Sequence, residues 1–137
     1  MKKIKSLYVI DDDKIYHFLL KHLLKQNGID VESRFFSNGQ DAIDFMKQNE
    51  NVDLPDLILL DVNMPIMDGW QFLDEFRELR PNVDNPPIIY VISSSNNEVD
   101  IEKAKDYDGA IKDYFLKPIC KDDLDKIFIE KEIRKDP

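Results

Sequence analysis

Two runs of consecutive apolar residues end in aspartate. Residues 7–10 are followed by three aspartates at positions 11–13, and residues 57–60 are followed by Asp61. Apolar runs without polar alternation are typical of strands buried on both faces, as in a parallel sheet covered by helices. Because parallel strands point the same way, both acidic ends are expected at one edge of the sheet, where open α/β folds bind their ligands.

Strand-like and helix-like segments alternate along the rest of the chain. Tyr16, Leu19, Leu20 and Leu23 repeat at helical spacing and predict an amphipathic helix that ends at residues 27–28, Asn-Gly. The other predicted strands cover residues 31–36, 57–60, 88–92 and about 114–116, and the other predicted helices cover about 40–48, 69–80, 98–107 and 121–134. The apolar residues predicted to face the core from those helices are Ala42, Ile43, Phe45, Met46, Trp70, Leu73, Phe76, Leu124, Ile127 and Phe128. The pattern predicts an α/β domain of (βα)₅ type.

Composition narrows the classes of protein without naming a function. A chain of 137 residues with 42% apolar and 34% charged residues is expected to form one globular domain. The net charge of −9 argues against nonspecific binding to nucleic acid. No secretion signal or long apolar stretch follows the N-terminal methionine, so membrane association is not expected and the cytoplasm is the predicted location. Cys120 is the single cysteine, which excludes an internal disulfide.

The predicted strand ends bring chemically useful side chains to one edge. The fourth strand is followed by three serines at 93–95, and the fifth by Lys117 and Pro118. Two carboxylates about 4 Å apart repel by roughly 4 kcal/mol at an effective dielectric of about 20. A cluster of them favours a hard divalent cation such as Mg²⁺, which takes oxygen ligands and keeps waters for an incoming phosphate. The residues therefore indicate metal-assisted phosphate chemistry on a carboxylate.

Four motifs in order along nearly the whole chain resemble the receiver domain of two-component response regulators. They are the aspartate pair after the first strand, residues 59–69 (Leu-Leu-Asp-Val-Asn-Met-Pro-Ile-Met-Asp-Gly), the serine after the fourth strand, and Lys117-Pro118. The resemblance implies a flavodoxin-like doubly wound fold with a parallel sheet of strand order 2-1-3-4-5. The resemblance also implies a non-enzymatic signalling protein. Because the chain ends soon after the fifth predicted helix, we expect a stand-alone regulator, with residues 1–137 forming one receiver domain and no output domain.

The resemblance assigns a role to each matching residue. Asp61 would be the phosphoacceptor, and the Mg²⁺ ligands would be Asp12 directly, Asp11 through a water, Asp61, and the backbone carbonyl of Asn63. Lys117 would pair with a phosphoryl oxygen. Asp13, next to the pair, is expected to be a solvated neighbour.

The resemblance also implies a conformational switch. Ser93 would hydrogen-bond a second phosphoryl oxygen, a role that the family more often gives to threonine. Tyr114 matches the aromatic residue that changes rotamer on activation. The bond between Lys117 and Pro118 is expected to be cis, as in the family.

Partners follow from the same resemblance. The phosphodonor would be a sensor histidine kinase or a histidine phosphotransfer protein, and it would dock over the first helix and the loop after the fifth strand. Ile15 and Ile119 are the best apolar contact candidates there, and Phe18 would either extend this surface or pack on the last helix. A downstream protein, rather than nucleic acid or membrane, is expected to receive the signal, with the regulator a monomer or a phosphorylation-dependent dimer.

Three rival classes share parts of this pattern. A flavodoxin-like cofactor protein would need a phosphate-cradling loop after the first strand, where three aspartates would repel the flavin phosphate. A phosphohydrolase with an aspartate nucleophile resembles Asp-x-Asp, but Asn63 stands at the second position and cannot shuttle a proton. A degenerate receiver that only binds partners would not need Asp11, Asp12, Asp61, Ser93 and Lys117 together. A phosphorylatable receiver is the function that the sequence predicts.

Overall fold

Strands and helices alternate throughout the computed structural model, which describes residues 4–49, 53–81, 85–94, 98–107 and 109–129, with Ile129 described by its backbone alone. The strands are β1 (Ser6–Ile10), β2 (Glu32–Phe36), β3 (Leu57–Leu60), β4 (Ile88–Ser93) and β5 (Asp113–Leu116). The helices are α1 (Lys14–Gln26), α2 (Gly39–Gln48), α3 (Gly69–Leu79), α4 (Glu98–Asp106) and α5 (Lys121–Leu124). A π-helical turn, Asp125–Ile129, continues α5.

The five strands pair in parallel in the order β2-β1-β3-β4-β5. The predicted fold class and strand order are therefore confirmed. The register places Ile10 beside Leu60 and Ser93 beside Leu116, so the carboxyl ends of β1 and β3, and those of β4 and β5, lie level with each other. The residues that follow these strands consequently emerge side by side at one edge.

Two hydrophobic clusters cover the two faces of the sheet. Alternate strand residues point to opposite faces. One cluster combines Tyr8, Ile10, Ile58, Leu60, Ile89 and Val91 with residues of α2 and α3, and the other combines Leu7, Val9, Leu57, Leu59, Tyr90 and Ile92 with residues of α1 and α5. Burial on both faces explains why β1, β3 and β4 are nearly continuous apolar runs.

Helix α1 packs through a face slightly different from the predicted one. Its buried residues are Tyr16, Leu20 and Leu24, whereas Leu19 is 55% exposed. Leu19, one of the four residues whose spacing predicted this amphipathic helix, therefore lies outside the buried face. Spacing alone allows either edge of a wide apolar stripe to be buried, and the packing of α1 on the sheet and α5 selects the edge that contains Leu24.

Aspartates begin two helices. Asp13 is exposed, as predicted for a solvated neighbour, and it is also the N-cap of α1, because its side chain accepts hydrogen bonds from the backbone N–H groups of Ile15 (2.9 Å) and Tyr16 (3.2 Å). Asp68 caps α3 in a reciprocal capping box with Gln71. Both caps hold the loops that leave β1 and β3 at the carboxyl edge.

Some predictions extend past the described residues. The extension of the last helix to residue 134 lies outside them, as does Ser95. Within the described ranges, each helix is too short or too polar to cross a membrane.

Candidate functional site

Three carboxylates meet at the carboxyl edge of the sheet. Carboxylate oxygens of Asp11, Asp12 and Asp61 all lie within 4.8 Å of one another. Asp11 is 1% exposed and Asp61 is 5% exposed, whereas Asp12 faces solvent. The backbone continues the sheet at this point, since the N–H of Asp61 donates to the carbonyl of Ile10 at 2.9 Å. The acidic cluster is thus held by strand pairing.

Lys117 brings a positive charge into this cluster. Its Nζ lies 2.6 Å from Oδ2 of Asp11 and 3.9 Å from Oδ2 of Asp61. The backbone N–H of Lys117 donates to the carbonyl of Ser93 at 2.9 Å, which joins the ends of β4 and β5. Ser93 is fully buried, and the bond between Lys117 and Pro118 is cis, as predicted.

Burial of like charges changes the proton affinity of the carboxylates. Burial, and secondarily the charge of Asp11, raises the pKa of Asp61 to about 6, although Lys117 acts in the opposite direction. Burial also raises the pKa of Asp11, and the hydrogen bond from Lys117 offsets only part of this effect. One ammonium leaves two of the three negative charges of this cluster uncompensated.

The loop between β3 and α3 packs tightly against Asp61. The N–H of Asn63 donates to Oδ1 of Asp61 at 3.4 Å, and the N–H of Gly69 donates to the carbonyl of Val62 at 3.0 Å. A Cβ atom at position 69 would lie 2.6 Å from the backbone oxygen of Asp61, so only glycine fits there. Ile66 has a φ of 70°, which is unusual for a β-branched residue.

The residues of the cluster fit a divalent cation. Three carboxylates close enough to share one ion, with incomplete compensation by Lys117, form an oxygen-rich site of the kind that Mg²⁺ or Mn²⁺ prefers. Asp12 is the most accessible of the three. The backbone carbonyl of Asn63 as a further ligand stays a prediction.

The structure brings together the predicted Asp11, Asp12, Asp61 and Lys117, with Ser93 at the adjoining strand end. Tyr114 is half-buried on β5, where it pairs with Val91 of β4. Its change of rotamer stays a prediction.

The predicted docking residues divide into two groups. Ile15 and Phe18 on α1 are 72% and 69% exposed, as a contact surface requires. Ile119 is only 9% exposed and packs in the core with Phe115 and Leu124. This burial, two residues before α5, argues against Ile119 as a docking contact, and its docking role stays a prediction.

Tyr16 belongs to the site although the sequence indicated only a core position. Its ring centroid lies 4.4 Å from the Nζ of Lys117. Burial, together with the charges of Asp11 and Asp61, raises the pKa of its hydroxyl. The one available signal was its place in the first turn of the helix that follows the aspartates.

Comparison with known proteins shows the family of this chain. The family model of the response regulator receiver domain matches residues 7–129. Response regulator Rcp1 of Synechocystis sp. is 34% identical over 100 residues, covering 71% of this chain and 67% of that protein. Response regulator MprA of Mycolicibacterium vanbaalenii is 32% identical over 118 residues, covering 86% of this chain. This chain spans 46% of that MprA and 7% of the hybrid signal transduction histidine kinase L of Dictyostelium discoideum, to which it is 30% identical.

Solved structures show the same fold. A two-component response regulator from Cytophaga hutchinsonii superposes with a TM-score of 0.83 at 28% identity, covering 97% of this chain and 99% of that one. The Mn²⁺-bound form of Rcp1 superposes with a TM-score of 0.69 at 31% identity, covering 93% and 91% of the two chains. Receiver domains bind a divalent metal at their aspartate cluster and act as phosphoacceptors in signalling. The chain therefore belongs to the response regulator receiver domains of two-component systems.

Proposed function

We propose that Asp61 accepts a phosphoryl group from a phosphohistidine, in a reaction that depends on Mg²⁺, and that the phosphorylated protein passes the signal on. The observation that carries this proposal is the position of Asp61, which is 5% exposed and lies among Asp11, Asp12 and the ammonium of Lys117. The donor is a sensor histidine kinase or a histidine phosphotransfer protein, the partners with which receiver domains interact.

Asp61 is the nucleophile in this proposal. One of its carboxylate oxygens forms a bond to phosphorus while the bond between phosphorus and the donor histidine nitrogen breaks, and the leaving imidazole takes up a proton. A pKa of about 6 leaves most of the Asp61 carboxyl ionised at neutral pH. Phosphoryl transfer asks little covalent chemistry of a protein, so positioning and charge neutralisation supply most of the acceleration.

Lys117 and Ser93 receive the phosphoryl oxygens. The ammonium of Lys117 lies 3.9 Å from Asp61, close enough to move onto an oxygen of a group attached there. The hydroxyl of Ser93, from the end of the neighbouring strand, donates to another oxygen. Because the backbone N–H of Lys117 is bonded to the carbonyl of Ser93, the two groups move as one unit.

The metal would be held by Asp12 directly, by Asp11 through a water, by Asp61 and by the carbonyl of Asn63. When bound, a divalent cation neutralises charge on the phosphoryl oxygens. Before the phosphoryl group arrives, Asp11 also holds Lys117 in place, since its Oδ2 lies 2.6 Å from the Nζ of Lys117.

The output is phosphorylation-dependent binding of another protein, or transfer of the phosphoryl group to the next member of a relay. The net charge of −9 argues against direct contact with nucleic acid. A lasting change of partner affinity that follows phosphorylation identifies the first output, and loss of label to an added phosphotransfer protein identifies the second.

The decisive experiment is labelling with a small phosphodonor. With Mg²⁺ and acetyl phosphate, the protein should gain one phosphoryl group that is stable to acid and labile to base, as an acyl phosphate is. Asp61→Asn should abolish the gain without unfolding the protein, since the two side chains have the same size. Intact-protein mass spectrometry, with peptide mapping, measures both results.

Asp44→Asn provides the matched control. Asp44 is an exposed aspartate on α2 that accepts a hydrogen bond from Gln40, so its loss should leave labelling unchanged. Label that persists in Asp61→Asn, or that maps to His17 or His22, would overturn the assignment.

A further inference from the structure

The ring of Tyr16 lies against the ammonium of Lys117. The Nζ atom lies 4.4 Å from the ring centroid, within the range of a cation–π attraction. The same ammonium contacts Asp11 at 2.6 Å and Asp61 at 3.9 Å. Lys117 is thus held between two carboxylates and an aromatic face.

The position of the ring is set by the fold rather than by Lys117. The backbone N–H of Tyr16 is bonded to the capping side chain of Asp13, which orients the first turn of α1. The side chain is 7% exposed and packs in the core with Leu20 and Ile119. A ring held this firmly can hold a flexible lysine at little cost in entropy, because only the lysine has to be ordered.

We propose that Tyr16 is a positioning residue, whose ring holds the ammonium of Lys117 in the site and keeps it there while it moves from Asp11 to the phosphoryl group. The inference rests on the proposed phosphorylation of Asp61. A hydrogen bond to Asp11 is directional and has to break during this movement. The attraction of a ring face for a cation is much less directional, so the ammonium keeps it while it changes partners.

The ring, and not the hydroxyl, carries this role. The hydroxyl of Tyr16 is buried and has no hydrogen-bond partner among the described residues. A phenylalanine ring presents a similar face to a cation, whereas leucine fills part of the volume without one. Tyr16→Phe and Tyr16→Leu therefore separate the two contributions.

The first measurement is spectroscopic and needs no phosphorylation. Protons that lie over an aromatic ring resonate upfield, so the Hε protons of Lys117 should be shifted upfield of those of exposed lysines. Their signal is assigned by its loss in Lys117→Arg. The shift should persist in Tyr16→Phe and disappear in Tyr16→Leu, an effect that a merely structural role of Tyr16 would not produce.

The second measurement is the rate of phosphorylation by acetyl phosphate at saturating Mg²⁺. Tyr16→Phe should stay within about twofold of the parent protein, whereas Tyr16→Leu should be slower on the order of tenfold. Leu24→Ala is the matched control, because it removes buried side-chain volume from the same helix face without a ring next to Lys117. It should lose stability but keep the rate at a temperature where it is folded.

The outcomes separate the inference from the proposed function. An unchanged rate in Tyr16→Leu, or an equal loss in Tyr16→Phe, would overturn the role of the ring. If Tyr16→Leu does not fold, Tyr16→Met takes its place, and an unshifted Lys117 signal in the parent protein would by itself overturn the inference. A parent protein that gains no phosphoryl group, but shows the shifted signal, would overturn the proposed function and leave the positioning of Lys117 standing.

Discussion

Asp61 shows most clearly how burial changes the pKa of a single residue. Loss of solvent and the neighbouring charge of Asp11 both penalise its ionised form, and Lys117 compensates only in part. The pKa of the carboxyl consequently rises from 3.8 to about 6. The same crowding that makes the residue a site for a cation therefore makes the metal-free protein less stable when the carboxyl is ionised.

We expect the stability of the metal-free protein to fall as the pH rises from about 4 to about 6. In this interval the folded state binds more protons at Asp61 than the unfolded state does, so raising the pH favours unfolding. The contribution is roughly 2–3 kcal/mol; it is fully present below about pH 4 and is lost as the pH rises through about 6. Melting temperatures in a chelator across this range measure it.

Asp61→Asn isolates this effect from the other titrating groups. The variant should be more stable than the parent above pH 6, and the difference should shrink toward pH 4. Saturating Mg²⁺ should restore the stability of the parent protein at neutral pH, because the ion supplies the missing positive charge. A difference that is constant over the whole range would contradict the raised pKa.

Helix α1 has a buried side and an exposed apolar side. One side buries Tyr16, Leu20 and Leu24, while the other leaves Ile15, Phe18 and Leu19 exposed by 72%, 69% and 55%. Because Asp13 of the acidic loop is also the N-cap of α1, this exposed apolar surface begins beside the proposed phosphorylation site. An exposed cluster of large apolar side chains is a typical contact surface for another protein.

Substitution of Ile15 or Phe18 by glutamate should slow phosphoryl transfer from a phosphohistidine protein by about tenfold or more, as loss of an apolar anchor in an interface does. The rate with acetyl phosphate should remain unchanged, because the small donor needs no docking surface. Parallel transfer assays with both donors measure this.

Val99→Glu is the control for added surface charge. Val99 is 69% exposed, like Phe18, but lies on α4. It should not affect transfer from the phosphohistidine donor. Equal losses with both donors in the α1 variants would indicate damage to the site instead of loss of docking.

Across the whole molecule, two sets of contacts lead away from the site. One is the hydrogen bond from the backbone N–H of Lys117 to the carbonyl of Ser93, which joins the ends of β5 and β4. The other begins at Gly69, which is packed against Asp61, and continues through Trp70, whose ring stacks on Tyr107 at 5.2 Å. Ala104 is the buried residue of α4, so this helix has few core contacts to resist a shift.

Beryllofluoride with Mg²⁺ should therefore change amide chemical shifts beyond the acidic cluster, at Ser93, at Tyr114 and along α4. Tyr107→Leu, which removes the stack on Trp70, should reduce the changes in α4 without preventing binding at Asp61. The control Phe35→Leu, on β2, removes a ring contact with His17 of α1 and should leave the chemical-shift changes in α4 as they are. Changes confined to the acidic cluster would indicate a phosphate carrier without a conformational output.

The linear pattern of the chain was enough to place the strands and helices and to select most of the site. Strands buried on both faces leave continuous apolar runs, and β3 was predicted at the bounds that the structure shows, Leu57–Leu60. Asp11, Asp12, Asp61, Ser93 and Lys117 were found because they directly follow such runs. Parallel pairing brings residues of that kind to one edge, whatever the order of the strands.

Other features depend on contacts that periodicity does not encode. The order of the strands came from the family resemblance, since apolar runs do not say which strands are neighbours. The burial of Leu24 instead of Leu19, and of Ile119, was decided by how α1 and α5 pack on the sheet. The contact between Tyr16 and Lys117 joins residues a hundred positions apart, and only the packing of α1 beside the end of β5 could create it. Local sequence determines which side chains are available at this edge, and tertiary packing decides which of them touch.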